Sequence, residues 1–176
     1  MIYYTADLHF YHENVLKLSH RPFSSIEEMN QAIVTRWNKK VNEDDTVYIL
    51  GDIAFPKNIK DISDVTNIVR KLKGNKVLIQ GNHDYRLVKS ELFRELFIEV
   101  KMYDQITDNG RRVILMHYPI ENWNYMYYGS YHLHGHIHER EITQVTNRFN
   151  VGVDVNGFAP VTLTRLIERY SNNANI

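Results

Sequence analysis

The chain has 176 residues, a length that allows one domain to bury its own core. Its 21 basic and 21 acidic residues cancel, so no global field draws it to nucleic acid or to an anionic membrane. It has no cysteine, which excludes disulfides and thiolate metal sites and leaves histidine, aspartate, asparagine and glutamate as metal ligands.

The N-terminus predicts a buried strand rather than a targeting signal. Residues 1–10, MIYYTADLHF, carry no basic segment, and Asp7 interrupts their apolar stretch. No apolar run approaches the length of a membrane span, so we expect a cytoplasmic protein without a membrane partner. No repeat or linker divides the chain, and we expect a single domain over residues 1–176.

The first half of the chain alternates between short apolar strands and amphipathic helices. Strands are predicted over residues 2–6, 46–50 and 76–80, and helices over 25–41, 62–72 and 87–96. Ser24 and Glu27 form the capping box expected at the start of the first helix. Gly74 is expected to end the second helix.

The second half is richer in strand patterns. Residues 99–117, EVKMYDQITDNGRRVILMH, predict two strands around an Asn-Gly turn. Residues 131–138 and 150–155 predict further strands, and Thr162 or Thr164 is expected to cap a last short helix. Strand–helix alternation followed by antiparallel strands predicts an α/β protein with a mixed sheet or two packed sheets.

Polar clusters follow five of the predicted strands. They are Asp7-Leu8-His9, Gly51-Asp52, Gly81-Asn82-His83-Asp84, His117 and Gly135-His136-Ile137-His138. Ligands collect beyond the carboxyl ends of strands in open α/β sheets, so we expect a metal site at this edge. Because residues i and i+2 of an extended segment point the same way, we expect Asp7 to act with His9, and His136 with His138. The glycines are expected to allow sharp turns or close backbone approach beside the site.

The order of these five clusters resembles the signature of the calcineurin-like metallophosphoesterases, and the short chain is most similar to compact bacterial and phage-type members. The resemblance implies a four-layer α/β/β/α sandwich of two packed mixed β-sheets flanked by helices. It also implies two divalent metal ions per chain. One ion would be bound by Asp7, His9, Asp52 and His138, and the other by Asp52, Asn82, His117 and His136.

The same resemblance implies hydrolysis of a phosphate ester by attack of a metal-bridging hydroxide. His83 would act as the general acid, and Asp84 would orient it and favour its protonated form. Mixed imidazole and carboxylate ligands suit manganese first, with iron, zinc, nickel or cobalt as alternatives. The Asp-Arg-Gly sequence typical of protein Ser/Thr phosphatases is missing after Asp52, which argues against protein dephosphorylation.

The sequence predicts the class of substrate and not a specific substrate. A phosphodiester or a nucleotide-type substrate is favoured over a phosphomonoester, because the near-neutral chain offers no obvious extra phosphate clamp beyond Arg21. The charge balance gives no strong signal for nucleic acid as a partner, and the physiological substrate and oligomeric state stay open. Two other classes are retained: a non-catalytic metal- or protein-binding module on the same fold, and a single-metal or structural metal protein.

Six further residues have two interpretations each. His12 and Arg21 either contact substrate phosphate or lie in solvated loops. Trp123 and Tyr127, in the aromatic segment NWNYMYYGSY, either stack on a nucleobase or pack their loop down. The remaining two, His132 and His134, are expected in the core or beside the metal ligands, donating to a ligand carboxylate.

Overall fold

The computed structural model describes residues 1–57 and 59–173, which contain two four-stranded β-sheets. The first sheet has the order β1-β2-β3-β4 and is parallel throughout. Its strands are β1 (Ile2–Thr5), β2 (Thr46–Ile49), β3 (Asn75–Ile79) and β4 (Glu99–Lys101). The second sheet is mixed, with an antiparallel β5–β6 pair and parallel β6–β7 and β7–β8 pairs. Its strands are β5 (Tyr103–Asp108), β6 (Arg111–Met116), β7 (Tyr131–His134) and β8 (Arg148–Asn150).

The helices of the described residues confirm the α/β class. They are α1 (Asn14–Leu18), α2 (Ile26–Lys40), α3 (Ile59–Arg70), α4 (Glu91–Arg94) and α5 (Leu163–Asn173). The predicted capping box is shifted by one residue, because Ser25 and not Ser24 has the extended backbone of an N-cap. Ser25 Oγ accepts the N–H of Glu28 at 3.1 Å, and the Glu28 carboxylate accepts the N–H of Ser24 at 2.8 Å.

The predicted helix over residues 87–96 is wrong as a single element. The chain forms a 3₁₀ helix (Asp84–Lys89) and then the short α4. Ser90, with an extended backbone (ψ 121°), separates the two. At the C-terminal end, Thr162 is the residue that caps α5, since its Oγ1 accepts the N–H of Arg165 at 3.3 Å.

Residues 99–117 form three strands where the sequence predicts two. The first three residues become β4 and extend the first sheet beside β3, whereas β5 and β6 form the expected hairpin. Asn109 and Gly110 both have positive φ, of 48° and 77°, which suits the tight Asn-Gly turn between them. The strand predicted over 150–155 ends at Asn150, and Val153–Val155 form a 3₁₀ helix.

Two buried clusters hold these layers together. In the first, Val47, Ile49 and Leu78 of the first sheet pack against Trp37 of α2 and Val69 of α3. The second lies between the sheets and contains Tyr4, Leu50, Ile79, Leu115 and Leu133. Contacts between the sheets thus bring the carboxyl ends of β1, β2, β3, β6 and β7 to one edge.

None of the helices in the described ranges is both long enough and apolar enough to cross a membrane. The cytoplasmic location and the single domain over residues 1–176 stay predictions.

Candidate metal centre

The side chains that follow five strands meet in two groups of ligand atoms. Asp7, His9 and His138 form one group, and Asp52, His117 and His136 form the other; within each group the atoms lie within 4.8 Å of one another. Asn82 adjoins the second group, with its Oδ1 3.0 Å from His117 Nε2 and 3.0 Å from His136 Nδ1. The structure thus brings together all seven residues predicted as metal ligands.

Asp52, a member of the second group, also faces the first group. Its Oδ2 is 3.8 Å from His9 Nε2 and 3.5 Å from His117 Nε2, and its side chain is almost fully buried. One carboxylate oxygen therefore faces an imidazole from each group. This is the arrangement that a carboxylate shared by two cations requires.

The prediction that these ligands pair because they lie two residues apart in extended segments is wrong. Asp7, His9, His136 and His138 are not extended: their φ angles are 57°, 50°, 72° and 52°. Each lies beyond the end of its strand in the left-handed region, where non-glycine residues are uncommon. The side chains converge because the backbone turns at each of these positions, and strand alternation does not operate there.

The close backbone approach expected of the glycines is confirmed. A Cβ on Gly135 would lie 2.4 Å from Ala6 Cβ and 2.6 Å from Asp7 Oδ2. Because Gly135 has no Cβ, the His136 N–H can reach the Asp7 carboxylate, at distances of 3.0 and 2.9 Å from its two oxygens. The loop after β7 is thereby bound directly to the ligand that follows β1.

The outward-facing nitrogens of two ligand histidines are fixed by acceptors. His117 Nδ1 lies 2.7 Å from the carbonyl oxygen of Leu50, and His138 Nδ1 lies 2.9 Å from Asp154 Oδ2. With the proton on Nδ1, where these oxygens accept it, Nε2 of each ring has a lone pair available for a metal ion. Metal-binding histidines commonly have a partner of this kind.

Arg21 is neither solvated nor free to bind a substrate phosphate, so both interpretations of it are wrong. Its Nε and Nη2 donate to the Asp154 carboxylate at 2.7 and 2.9 Å. Its Nη2 and Nη1 also donate to the carbonyl oxygens of Asp7 and Leu8, at 2.7 and 3.0 Å. The guanidinium thus fixes the loop that carries Asp7 and His9 and, through Asp154, the ring of His138.

Sequence reasoning missed Asp154. It lies in NVGVDV, a segment predicted as a strand, and the isolated carboxylate in this apolar run was the signal that could have identified it. Although burial raises its pKa, the hydrogen bond to His138 and the charge of Arg21 outweigh burial and lower it overall. Asp154 is therefore a buried carboxylate held ionised between two nitrogen donors.

The predicted role of Asp84 in orienting His83 is also wrong. The Asp84 carboxylate is fully buried and accepts the backbone N–H groups of Gly81, Asp52 and Ile53, at 2.8, 2.9 and 2.9 Å. Among the described residues no contact joins it to the His83 ring. Asp84 instead ties the loop after β3 to the loop that carries the shared ligand, while burial raises its pKa to about 7.

His83 lies at the open side of the centre. Its Nε2 is 3.8 Å from Asp52 Oδ2, its side chain is one-third exposed, and Phe55 packs edge-on against its ring at 4.8 Å. The backbone N–H of His83 donates to Asp52 Oδ1 at 3.0 Å. The ring is thus placed beside the ligand groups with access to solvent.

The chemistry of the buried donor set fits divalent metal ions. His9 Nε2 is buried without a hydrogen-bond partner in the described structure, although it faces Asp52. Burial lowers the pKa of His9 well below its usual range and raises that of Asp7 to about 8, because no solvent reaches either group. Unpaired buried polar groups are costly, and a cation among them would satisfy the lone pairs of both residues.

The structure decides between the two interpretations of Trp123 but not between those of His12 and Tyr127. Trp123 is buried, and its Nε1 donates to Ser130 Oγ at 3.0 Å, so it packs its loop down and its predicted role in substrate binding is wrong. His12 is partly buried beside His9, with 3.4 Å between their Nδ1 atoms. Tyr127 is exposed on a 3₁₀ helix, and its contact with substrate stays a prediction.

His132 and His134 lie in the core, which is one of the two positions predicted for them. His132 Nδ1 lies 3.2 Å from the carbonyl oxygen of Ile114, and His134 Nδ1 lies 2.9 Å from that of Gly135. Neither ring contacts a ligand carboxylate among the described residues. Burial lowers their pKa values to about 4 and about 3, so both are neutral at physiological pH.

Comparisons with known proteins agree with this geometry. The sequence model of the calcineurin-like phosphoesterase superfamily domain matches residues 2–157. The chain is 32% identical to the uncharacterized protein MJ1445 of Methanocaldococcus jannaschii, over 95% of this chain and 89% of that protein. It is 26% identical to the gene 66 protein of Mycobacterium phage L5, over 88% and 87% of the two chains. The crystal structure of AQ665, a protein of unknown function from Aquifex aeolicus, superposes with a TM-score of 0.76 at 28% identity, covering 97% of this chain and 98% of that one.

Proposed function

The chain belongs to the calcineurin-like phosphoesterase superfamily, and we propose that it is a dinuclear metal-dependent phosphoesterase. The observation that carries this proposal is the position of Asp52 Oδ2, between His9 Nε2 at 3.8 Å and His117 Nε2 at 3.5 Å. A carboxylate in contact with both ligand groups supports two metal ions rather than one. It therefore argues against the alternative of a single structural metal.

The proposed ligand sets follow the two groups of atoms. Asp7, His9, Asp52 and His138 would bind one ion, and Asp52, Asn82, His117 and His136 would bind the other. Mixed imidazole and carboxylate donors suit manganese, with iron, zinc, nickel or cobalt as alternatives. When bound, such a pair of ions polarises the phosphoryl oxygens and lowers the pKa of a coordinated water.

The chain's own residues would orient the ester and transfer a proton. We propose His83 as the general acid that protonates the leaving-group oxygen, because its partly exposed ring lies beside the centre. A positioned acid contributes roughly 10²–10⁴ in rate. Asp84 and Asp154 act without touching substrate: the first fixes the loop of Asp52, and the second fixes the ring of His138.

The surroundings of the centre favour a phosphodiester or nucleotide-type substrate over a phosphomonoester. A monoester dianion needs more positive charge around the phosphate than a diester monoanion does. The guanidinium of Arg21 is occupied by Asp154, Asp7 and Leu8, so it adds no positive charge at the phosphate. We therefore propose the diester class.

The test is hydrolysis of bis-p-nitrophenyl phosphate and p-nitrophenyl phosphate, measured side by side. Metal-stripped protein is reloaded in turn with Mn²⁺, Fe²⁺, Co²⁺, Ni²⁺ and Zn²⁺, and bound metal is counted by elemental analysis. Asp52→Asn is the blank, and Asp44→Asn, an exposed carboxylate before β2, is the matched control. We expect about two metals per chain and turnover of the diester, lost in Asp52→Asn and kept in Asp44→Asn.

Failure to bind metal would refute the proposal and leave the non-catalytic binding module as the better description. A metal count near one per chain that does not change in Asp52→Asn would instead favour a structural metal.

A further inference from the structure

A cavity of about 370 Å³ adjoins the candidate metal centre. It is bounded by the loop of residues 10–14, by residues 54–57 and by α3. Its volume lies in the range of small-molecule sites, which is roughly 300–1,000 Å³. Nothing in the ligand groups described above requires this space.

The proposed general acid, His83, packs against one of the residues that line the cavity. Phe55 lines it and packs edge-on against His83 at 4.8 Å, with 5.8 Å between the Phe55 and His12 rings. His12 also lines it and lies against His9, with ring centroids 5.3 Å apart. A phosphate at the metal centre that points its leaving-group oxygen at His83 would therefore direct the leaving group into this cavity.

The walls present aromatic surface to solvent. The side chains of Tyr11 and Phe55 are 45% and 41% exposed, although this fold buries most of its large apolar groups. Tyr11 also has a φ of 60°, a conformation that is a genuine outlier for a bulky residue. Two accessible aromatic side chains at one opening suit a planar ring.

The rim is acidic. Among the described residues that line the cavity are the carboxylates of Glu13, Asp61 and Asp64 and the ammonium group of Lys57. The Asp61 carboxylate accepts the backbone N–H of Lys57 at 2.7 Å. Burial, and after it the charge of the nearby Asp64 carboxylate, raises the pKa of the Tyr11 hydroxyl. Such a rim repels an anionic leaving group and favours an uncharged one that carries N–H and O–H donors.

We propose that this cavity binds the leaving group of the substrate, and that this group is an uncharged nucleoside. The inference rests on the proposed function, which it deepens by naming the group released. In the reaction, the P–O bond to the nucleoside breaks and its electron pair stays on the nucleoside oxygen. That oxygen takes the proton of His83, the oxygen of water forms the new P–O bond, and the proton that this water gives up passes to solvent, from which His83 is reprotonated. A phosphodiester thus yields a monoester and a free nucleoside.

Two dinucleotides test the charge of the leaving group. Adenylyl-adenosine releases adenosine, whereas the same dinucleotide with a terminal 3′-phosphate releases adenosine 3′-monophosphate, so the bases and the scissile ester match and the leaving groups differ by one charged phosphate. We expect kcat/KM to be at least tenfold higher for adenylyl-adenosine. Asp64→Lys should reduce this ratio severalfold by removing the repulsion, and Asp44→Lys, outside the cavity, should leave it unchanged. Equal ratios in the wild-type protein and Asp64→Lys would overturn the proposal.

Phe55→Ala tests the aromatic wall. Loss of base stacking should raise KM for adenylyl-adenosine about tenfold with a smaller change in kcat. Phe55→Tyr should retain the wild-type KM, since it keeps the ring. Tyr128→Ala, which removes an exposed aromatic outside the cavity, is the matched control. An unchanged KM in Phe55→Ala would overturn the proposal.

The binding of adenosine to the purified protein tests this proposal independently of the proposed phosphoesterase activity. Adenosine carries no phosphate, and saturation-transfer NMR detects its binding without turnover. A signal lost in Phe55→Ala and kept in Tyr128→Ala would support the cavity even if no ester were hydrolysed. Diester hydrolysis without any adenosine signal, and with Phe55→Ala as active as wild type, would overturn the cavity while the proposed function stands.

Discussion

The contact between Arg21 and Asp154 allows the stability of the centre to be tested separately from its metal affinity. The pair is bidentate and almost fully desolvated, with side-chain exposures of 0% and 3%. Asp154→Asn keeps the shape of the side chain but removes its charge, so Arg21 would be left buried without a counter-charge. Breaking a buried pair on one side costs about 3–5 kcal/mol.

For a chain of this size, the loss of about 3–5 kcal/mol corresponds to a measurable decrease in Tm. For a domain of 150–250 residues, 1 kcal/mol corresponds to roughly 2–4 °C in Tm, so we expect Asp154→Asn to lower Tm by about 6–20 °C. His138 should respond separately, because its Nδ1 would lose the carboxylate 2.9 Å away that keeps its proton in place. Loss of such a partner typically weakens metal binding about 10–100-fold.

A double-mutant cycle distinguishes the two effects. Arg21→Met replaces the buried cation with an apolar side chain, and in the double variant neither buried charge is left unpaired. We expect the double variant to regain part of the Tm lost by Asp154→Asn alone, as measured by thermal unfolding in a chelator. Metal affinity, measured by isothermal titration, should not recover, because the double variant also loses the Arg21 hydrogen bonds that fix the loop of Asp7 and His9. If Asp154→Asn retained wild-type Tm and metal affinity, the positioning role of Asp154 would be refuted.

Three further predictions concern the acid, the buried carboxylates and pH. His83→Ala should lower kcat by about 10²–10⁴ while the metal count stays unchanged, and loss of metal would mean that His83 is a ligand instead. Asp84→Asn should lower the free energy of unfolding by about 1–3 kcal/mol for each backbone N–H left unpaired. The pH dependence of kcat should not change in this variant, because Asp84 does not contact the His83 ring. Burial raises the pKa of Asp7 to about 8 and that of Asp84 to about 7, so above pH 6.5 the metal-free native state retains protons that the unfolded chain has released. Its free energy of unfolding should therefore fall between pH 6.5 and 8.5 in chelator, whereas a rise over that range in urea titrations would contradict these pKa shifts.

The sequence was sufficient to locate the candidate metal centre because the relevant signals are local. Each ligand cluster directly follows an apolar strand, and the parallel strands of the first sheet necessarily end at one edge. The division into two groups was also predicted: His138 lies with Asp7, and His136 with Asp52. What carried this prediction was the resemblance to a family, since spacing alone does not assign a histidine to one ion or the other.

The parts that failed depend on contacts between distant residues. Arg21 and Asp154 are 133 positions apart, and no local pattern shows that an arginine in a polar segment is buried against a carboxylate. Asp84 immediately follows His83, which favoured a local contact, but its carboxylate reaches backbone groups up to 32 positions away. Strand β4 was missed for the same reason, because the choice of a pairing partner in the other sheet is made by tertiary packing.

The candidate ligands lie in a strained backbone that the surrounding polar residues support. Five of the seven have positive φ, namely Asp7, His9, Asp52, His136 and His138. Residues held in sparsely populated backbone regions cost of order 1–3 kcal/mol each and persist only where the surrounding structure determines them. That structure is identifiable here, because Arg21 donates to the Asp7 and Leu8 carbonyls, the Asp84 carboxylate accepts the Asp52 N–H, and Asn150 donates to the His138 carbonyl at 2.7 Å. The buried polar residues around the centre thus hold the ligand loops in conformations that most side chains avoid, and this explains why groups that touch no substrate are needed to build the site.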